Sequence, residues 1–487
     1  MKWNLFSLFR RNKSGRQKEA AGKPEGNGIE GKPVADNPLK SLLQPENEFE
    51  LLTLVQGEIK KGRILLRQHT LGEARNVLMP VKMLMKQSLI ANMDSERYEK
   101  LLDIIECSSL IADTYVEGKD YAAAYEEADD ALLFAEQLTV LASNRPGTLQ
   151  LIARLYCTYL SCCHKTGNPK GAESVHKKLE SVLSLLSAIM CDGDDNGKAG
   201  YFDTVCNLVE ELIGADAYED ATRISLQTIS PFEWKELEDP ASRHSFAILH
   251  SRYAYCLLNT KPIDVPSCLD ACRIEVAMFE DLAAEDDSVR AKMDLAVACS
   301  HRAVCHSYRE DEFMFLCDHL KKIELLGAAL RQNCVEEDPL YNNQALSDSI
   351  VQSIRAVVQE FGEIDENNLH YYSELYKAIR EIDDYYKGSG ALLAHINLIA
   401  GELFKITNKR DPATAQDCLS TRFSNLIYLV HSFGREDNII LDLSVTVEIA
   451  KPFIINHKSE ITEELNSLYL EALSIVLFEN DGKRKND

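Results

Sequence analysis

Gly118-Lys119-Asp120-Tyr121 interrupts a run in which apolar and small residues otherwise recur every three or four positions. Ser108, Ile111, Ala112 and Tyr115 precede it; Ala124, Ala128 and Ala131 follow. This spacing places each set on one face of a helix, so the chain reads as a helix, a tight turn and a second helix packed back on the first. Ala112 and Ala124 are small enough to let the two backbones approach closely where they cross.

The same layout recurs in both directions. Upstream, Phe49, Leu52, Val55 and Ile59 lead to a break at His69-Thr70-Leu71-Gly72, then to Ala74, Val77, Leu78 and Val81, with Pro80 expected to kink the second helix. Downstream, the turn markers are Pro169, Tyr218, Pro266 and Phe313. From Leu71 through Tyr121 to Phe313 the successive differences are 50, 48, 49, 48 and 47, which predicts a repeat of about 48 residues. Three less regular pairs follow: 350–361 with 369–386, 392–406 with 415–430, and 439–449 with 461–478 across a break at Pro452 to Lys458. The expectation is an all-α chain of about nine antiparallel helix hairpins over residues 45–480. A basic N-terminal segment, 1–44, precedes it and a short tail, 481–487, follows.

The hairpin from Ser108 to Ala131 resembles the tetratricopeptide repeat through Ile111-Ala112, Tyr115, Gly118, Asp120-Tyr121, Ala124, Ala128 and Ala131. The segments 58–81, 156–179 and 205–228 resemble it less closely. The period departs from the family's 34 residues, and the usual helix-ending proline is largely missing. The resemblance implies a right-handed superhelical solenoid whose concave face, lined by first helices, holds a peptide or helix of a partner. Carrying the register over gives groove candidates Arg63, Arg67, Glu106, Asp113, Glu117, Arg154, His164, Lys165 and Glu210, then His301, Cys305, Tyr308 and Arg309. They alternate in sign, which points to no single charged ligand.

Charge narrows the class of partner. The balance of 53 basic and 77 acidic residues is −24, so nucleic acid, which needs basic surface, is not expected. Residues 1–40 carry 9 basic and 4 acidic residues, or +5, leaving −29 for the rest. Trp3, Leu5, Phe6, Leu8 and Phe9 ahead of Arg10 and Arg11 suggest a weak membrane-surface contact through residues 2–18, against the plainer reading of a flexible tail. No stretch reads as a secretory signal or a spanning helix. The fourteen cysteines sit inside helical patterns, without a disulfide framework. A cytoplasmic location, peripheral at the inner membrane surface if residues 2–18 engage it, follows. Oligomeric state is not readable.

Motifs that carry chemistry are weak. Gly26-Asn27-Gly28-Ile29-Glu30-Gly31 matches GxGxxG but lacks the strand and helix a dinucleotide site requires. Asp192-Gly193-Asp194-Asp195-Asn196-Gly197, continuing to Asp203, has the oxygen spacing of a calcium loop, with Asp at position 12 and Ala199 at position 8 weakening it. An Asp/Asn/Gly turn between repeats is the plainer account. Cys162-Cys163-His164 and Cys299, His301, Cys305 and His306 lack the further ligands zinc needs, so no metal or other cofactor is expected. Tyr371, Tyr372, Tyr376, Tyr385 and Tyr386 would line a ligand groove or simply pack. No nucleotide, metalloprotease or hydrolase motif is present, and the expectation is not an enzyme but a protein–protein interaction scaffold or adaptor. The alternative is a peptide-sensing regulator whose solenoid changes shape on ligand binding.

Overall fold

The computed structural model describes residues 48–483 apart from 92–95, 169–170, 193–194, 337, 384–385, 387 and 435. Within them lie eighteen α-helices and no strand, arranged as the successive hairpins of an α-solenoid. In order these are α1 Glu48–Arg67, α2 Leu71–Ala91, α3 Arg97–Glu117, α4 Tyr121–Leu141, α5 Pro146–Thr166, α6 Ala172–Met190, α7 Asp195–Gly214, α8 Tyr218–Ile229 and α9 Pro240–Asn259. The remainder are α10 Val265–Glu285, α11 Val289–Tyr308, α12 Glu312–Glu336, α13 Asn343–Phe361, α14 Leu369–Asp383, α15 Gly390–Thr407, α16 Pro412–Phe433, α17 Asp437–Asn456 and α18 Glu463–Lys483. The chain divides between Ala271 and Cys272 into two compact units.

The turn after α3 is made by a different residue from the one its glycine suggests. Gly118 keeps a right-handed backbone, φ −74°, while Lys119 enters the left-handed region at φ 62°. Lys119 N–H donates to the Val116 carbonyl at 2.9 Å and Asp120 N–H to the Tyr115 carbonyl at 2.8 Å. These two bonds satisfy the last carbonyls of α3 and reverse the chain. Asp120 then caps α4, its carboxylate accepting the Ala123 N–H at 3.2 Å. Three residues thus end one helix and start the next.

This turn recurs. His69, Gly167, Asp216 and Glu310 are also left-handed, with φ of 59°, 65°, 61° and 56°. In each case the next residue donates to a carbonyl five positions back: Thr70 to Leu65, Asn168 to Cys163, Ala217 to Leu212 and Asp311 to His306, at 2.9–3.0 Å. Leu71, Tyr121 and Tyr218, read as turn markers, are the first residues of α2, α4 and α8; Pro169 lies outside the described residues.

In the first unit each helix packs on its sequence neighbour, and the first helices α1, α3, α5, α7 and α9 also pack on one another in succession. Small residues make this close approach possible. Ala112, Ala124, Ala128, Ala131 and Ala135 are all fully buried. A side chain at Gly62 on α1 would place its Cβ 2.5 Å from Leu78 Cδ2 on α2, so that crossing requires glycine. Leu51, Val55, Ile59, Leu78, Met85, Ile104 and Ile111 fill the core between them. The second unit's core runs from Val289 to Ile475 through side chains such as Ile350, Leu375, Leu403 and Phe423, and there the second helices α12 and α14, and α16 and α18, pack on one another, as do α13 and α15.

One expected break is absent. α17 runs through Pro452 to Asn456 rather than stopping before it. Pro452 lies in the last turn and a half and forfeits one backbone bond there, while the buried Phe453 anchors that turn against Phe404 at a ring separation of 5.6 Å. α18 likewise continues to Lys483, past the expected start of the tail at 481.

Candidate functional site: a groove on the first helices

The sequence-derived groove candidates do fall on first helices or the turns that end them, but most of them hold the array together. Arg63 on α1 pairs with Glu106 on α3. Arg154 on α5 donates from Nη2 to Asp113 Oδ2 on α3 at 2.7 Å, and its Nε lies 3.9 Å from Glu211 Oε2 on α7. Glu211 also accepts from the Thr158 hydroxyl at 2.6 Å. Lys165 reaches Asp216 at 2.9 Å, and Arg252 on α9 donates to Glu210 at 2.6 and 3.0 Å. Glu117 pairs with His69 of the preceding turn. The alternation of sign noted in the sequence is therefore a ladder of complementary pairs between successive hairpins.

Burial makes two of these carboxylates unusual. Desolvation raises Asp113 to about 6 and Glu211 to about 7, with Arg154 pulling both back down. Asp103, buried on α3, is raised to about 7 by desolvation, opposed by a hydrogen bond from Gln56 on α1. Its Oδ2 accepts nothing among the described residues.

Between α1, α3 and the start of α5 lies an open groove of about 810 Å³. Four of the candidates line it: Arg63, Arg67, Glu106 and Arg154. The structure adds Arg145, Tyr98, Leu102, Leu110 and Leu151, which sequence reasoning missed. Arg145 lies with its guanidinium carbon 3.7 Å from the Tyr98 ring centroid, and the Tyr98 hydroxyl meets Thr148 at 2.6 Å. A signal for Arg145 was present, since Arg145-Pro146 is the junction where a loop meets the first residue of a helix. The groove presents guanidinium groups around the half-buried Leu102 and Leu151.

The remaining candidates sit elsewhere. His164, Tyr308 and Arg309 are exposed but do not line this groove. His301 is a correction. It is 2% exposed and hydrogen-bonds through Nδ1 to the fully buried Glu275 on α10, at 2.9 and 3.1 Å, so it is a core residue rather than a contact surface. Cys305 is buried too, its Sγ 3.7 Å from that of Cys272.

The other motifs resolve into packing. Among the described residues no three His, Cys, Asp or Glu side chains converge as a metal site. Of the calcium-like run, Gly193 and Asp194 lie outside the described residues, while α7 begins at Asp195. Positions from Gly197 to Asp203 are thus helical and cannot wrap one ion. Gly197 is required for another reason: a side chain there would collide with the Met190 carbonyl at the end of α6. Tyr372 is buried and donates to the Gly362 carbonyl; Tyr376 is buried and donates to Thr421 at 2.9 Å; Tyr371 packs at a tilt against Phe361. Tyr385 and residues 2–18 lie outside the described residues. No described helix is long and apolar enough to cross a membrane.

No family model matches the chain, and the comparison with curated proteins returns no match. Among solved structures, it is similar to the apo form of RapI at 11% identity, covering 86% of this chain and 98% of that one with a TM-score of 0.33. It is also similar to a circular tandem repeat protein with novel repeat topology, at 12% identity, 90% and 98% coverage and a TM-score of 0.26.

Proposed function

We propose that the chain is a non-enzymatic, cytoplasmic protein–protein interaction scaffold of the tetratricopeptide type, with a period near 48 residues, that holds a segment of a partner on its first-helix face. The observation that carries this reading is the groove between α1, α3 and α5. It lies on the face where such arrays receive their ligands, and it combines arginines with Leu102 and Leu151, both only half-buried. Half-buried leucines beside positioned polar groups are what a partner's side chain needs in order to gain both affinity and register.

The test is affinity isolation of a protein partner with the full chain, followed by titration against Leu102→Ser/Leu151→Ser. Each leucine contributes roughly 1 kcal/mol of partner contact, so binding weakens by about tenfold or more. A well-folded double variant that binds the partner as tightly as the parent chain rules the groove out.

A further inference from the structure

The groove carries more positive charge than its own carboxylates neutralise. Arg63 is answered by Glu106 and Arg154 by Asp113. Arg67 and Arg145 are exposed and line the same groove, and among the described residues neither is paired with a carboxylate. Counting these four arginines against Glu106, Asp113 and Glu211 leaves 4 − 3 = +1, in a chain whose net charge is −24. A basic ligand would find favourable surface almost anywhere on such a chain. An acidic one is repelled by most of it and attracted here, where two guanidinium groups have no carboxylate partner among the described residues. Arg145 is also held in place by the Tyr98 ring, so less side-chain freedom is lost when it takes a ligand.

We infer that the groove takes a carboxylate-rich segment of a partner protein. Arg67 and Arg145 each receive a carboxylate, and Leu102 and Leu151 cover an apolar side chain between them. This rests on the groove being the partner face, as proposed above, and adds the chemistry of what fills it. The overall charge disfavours a nucleic acid there, although guanidinium groups fit phosphate as well.

Four fluorescent probes decide the matter with the full-length chain. Three are amphipathic peptides of about 16 residues with identical leucine spacing and Glu, Gln or Lys at the polar positions; the fourth is a single-stranded oligonucleotide. The Glu peptide binds about tenfold more tightly than the Gln peptide. Arg67→Ala/Arg145→Ala abolishes that advantage, whereas Lys60→Ala/Lys61→Ala, an equal charge change on α1 outside the groove, leaves it within about twofold. Equal loss in the two double variants overturns the inference, because the attraction is then general. Glu and Gln peptides binding equally, both weakened by Leu102→Ser/Leu151→Ser, overturns the acidic assignment and leaves the groove as the partner face. Tighter binding of the Lys peptide or the oligonucleotide also overturns it. Binding by none of the four removes both readings.

Discussion

Replacing Lys119 by glycine stabilises this protein. Lys119 holds φ at 62°, where its Cβ crowds the backbone, at a cost of about 1–2 kcal/mol for a residue with a side chain. Glycine removes that strain but adds freedom to the unfolded chain, which takes back about 0.5–1 kcal/mol. The two closing hydrogen bonds come from backbone N–H groups of Lys119 and Asp120 and survive the change. The net expectation is a gain of about 0.5–1 kcal/mol. His69→Gly, Asp216→Gly and Glu310→Gly carry the same sign because they occupy the same position of the same turn, although His69 and Asp216 also give up their pairings with Glu117 and Lys165. Gly167→Ala, at φ 65°, is the reverse experiment and destabilises by about 1 kcal/mol. Gly118→Ala provides the contrast: at φ −74° it relieves no strain, and the added carbon lies 3.3 Å from the Thr114 carbonyl oxygen, 3.5 Å from that of Tyr115 and 3.8 Å from Leu71 Cδ1. Urea titrations followed by far-ultraviolet circular dichroism give the differences directly, with the slope as a check that the transition is unchanged. Destabilisation by Lys119→Gly together with tolerance of Gly167→Ala refutes the shared turn.

Three further outcomes follow from the packing and the ladder. Gly62→Ala pushes a methyl into Leu78 and costs about 1–2 kcal/mol, overpacking outweighing the gain in helix propensity; Gly62→Ala/Leu78→Ala costs less than the sum of the single changes, measurable as a double-mutant cycle. Asp103 is raised in the fold, so its contribution is present in full at low pH and lost as pH rises through about 7. Asp103→Asn therefore gains on the parent chain between about pH 5 and pH 8, by on the order of 3 kcal/mol in thermal unfolding, and equal pH slopes for the two proteins contradict the burial argument. Arg154→Ala costs about 1–2 kcal/mol at pH 8, between the limits for exposed and buried pairs, and less near pH 6, where Asp113 and Glu211 take up protons instead of needing their counter-charge. A pH-independent cost would mean that Arg154 acts by packing alone.

The helices were largely legible in the sequence because apolar spacing reports directly on which face is buried. α11 ends at Tyr308 where Arg309-Glu310-Asp311 interrupts its pattern, and the alanines around Gly118 mark the closest crossing. Turn geometry was less legible. Glycine is the residue expected at a left-handed position, yet four of the five such turns use His, Lys, Asp or Glu, because the two closing backbone bonds compensate the strain. Pro452 misled for a related reason: proline propensity is local, and Phe453 packing outweighs it. In the site, the register of first helices placed Arg63, Arg67, Glu106 and Arg154 together, as a face argument can. Pairings such as Asp113 with Arg154, 41 residues apart, depend on how one hairpin stacks on the next, and no spacing within a helix encodes that. The burial of His301 was invisible for the same reason, since Glu275 on a different helix supplies its partner.

Site-specific photo-crosslinking reads out whether the first-helix face between α1, α3 and α5 receives the partner. A benzophenone amino acid replaces either Leu102, in the groove, or Leu133, exposed on the second helix α4, and each protein is irradiated with its isolated partner. A partner seated in the groove gives a crosslinked product from position 102 and none from position 133; a product from 133 with none from 102 places the partner on the opposite helices and contradicts the groove assignment.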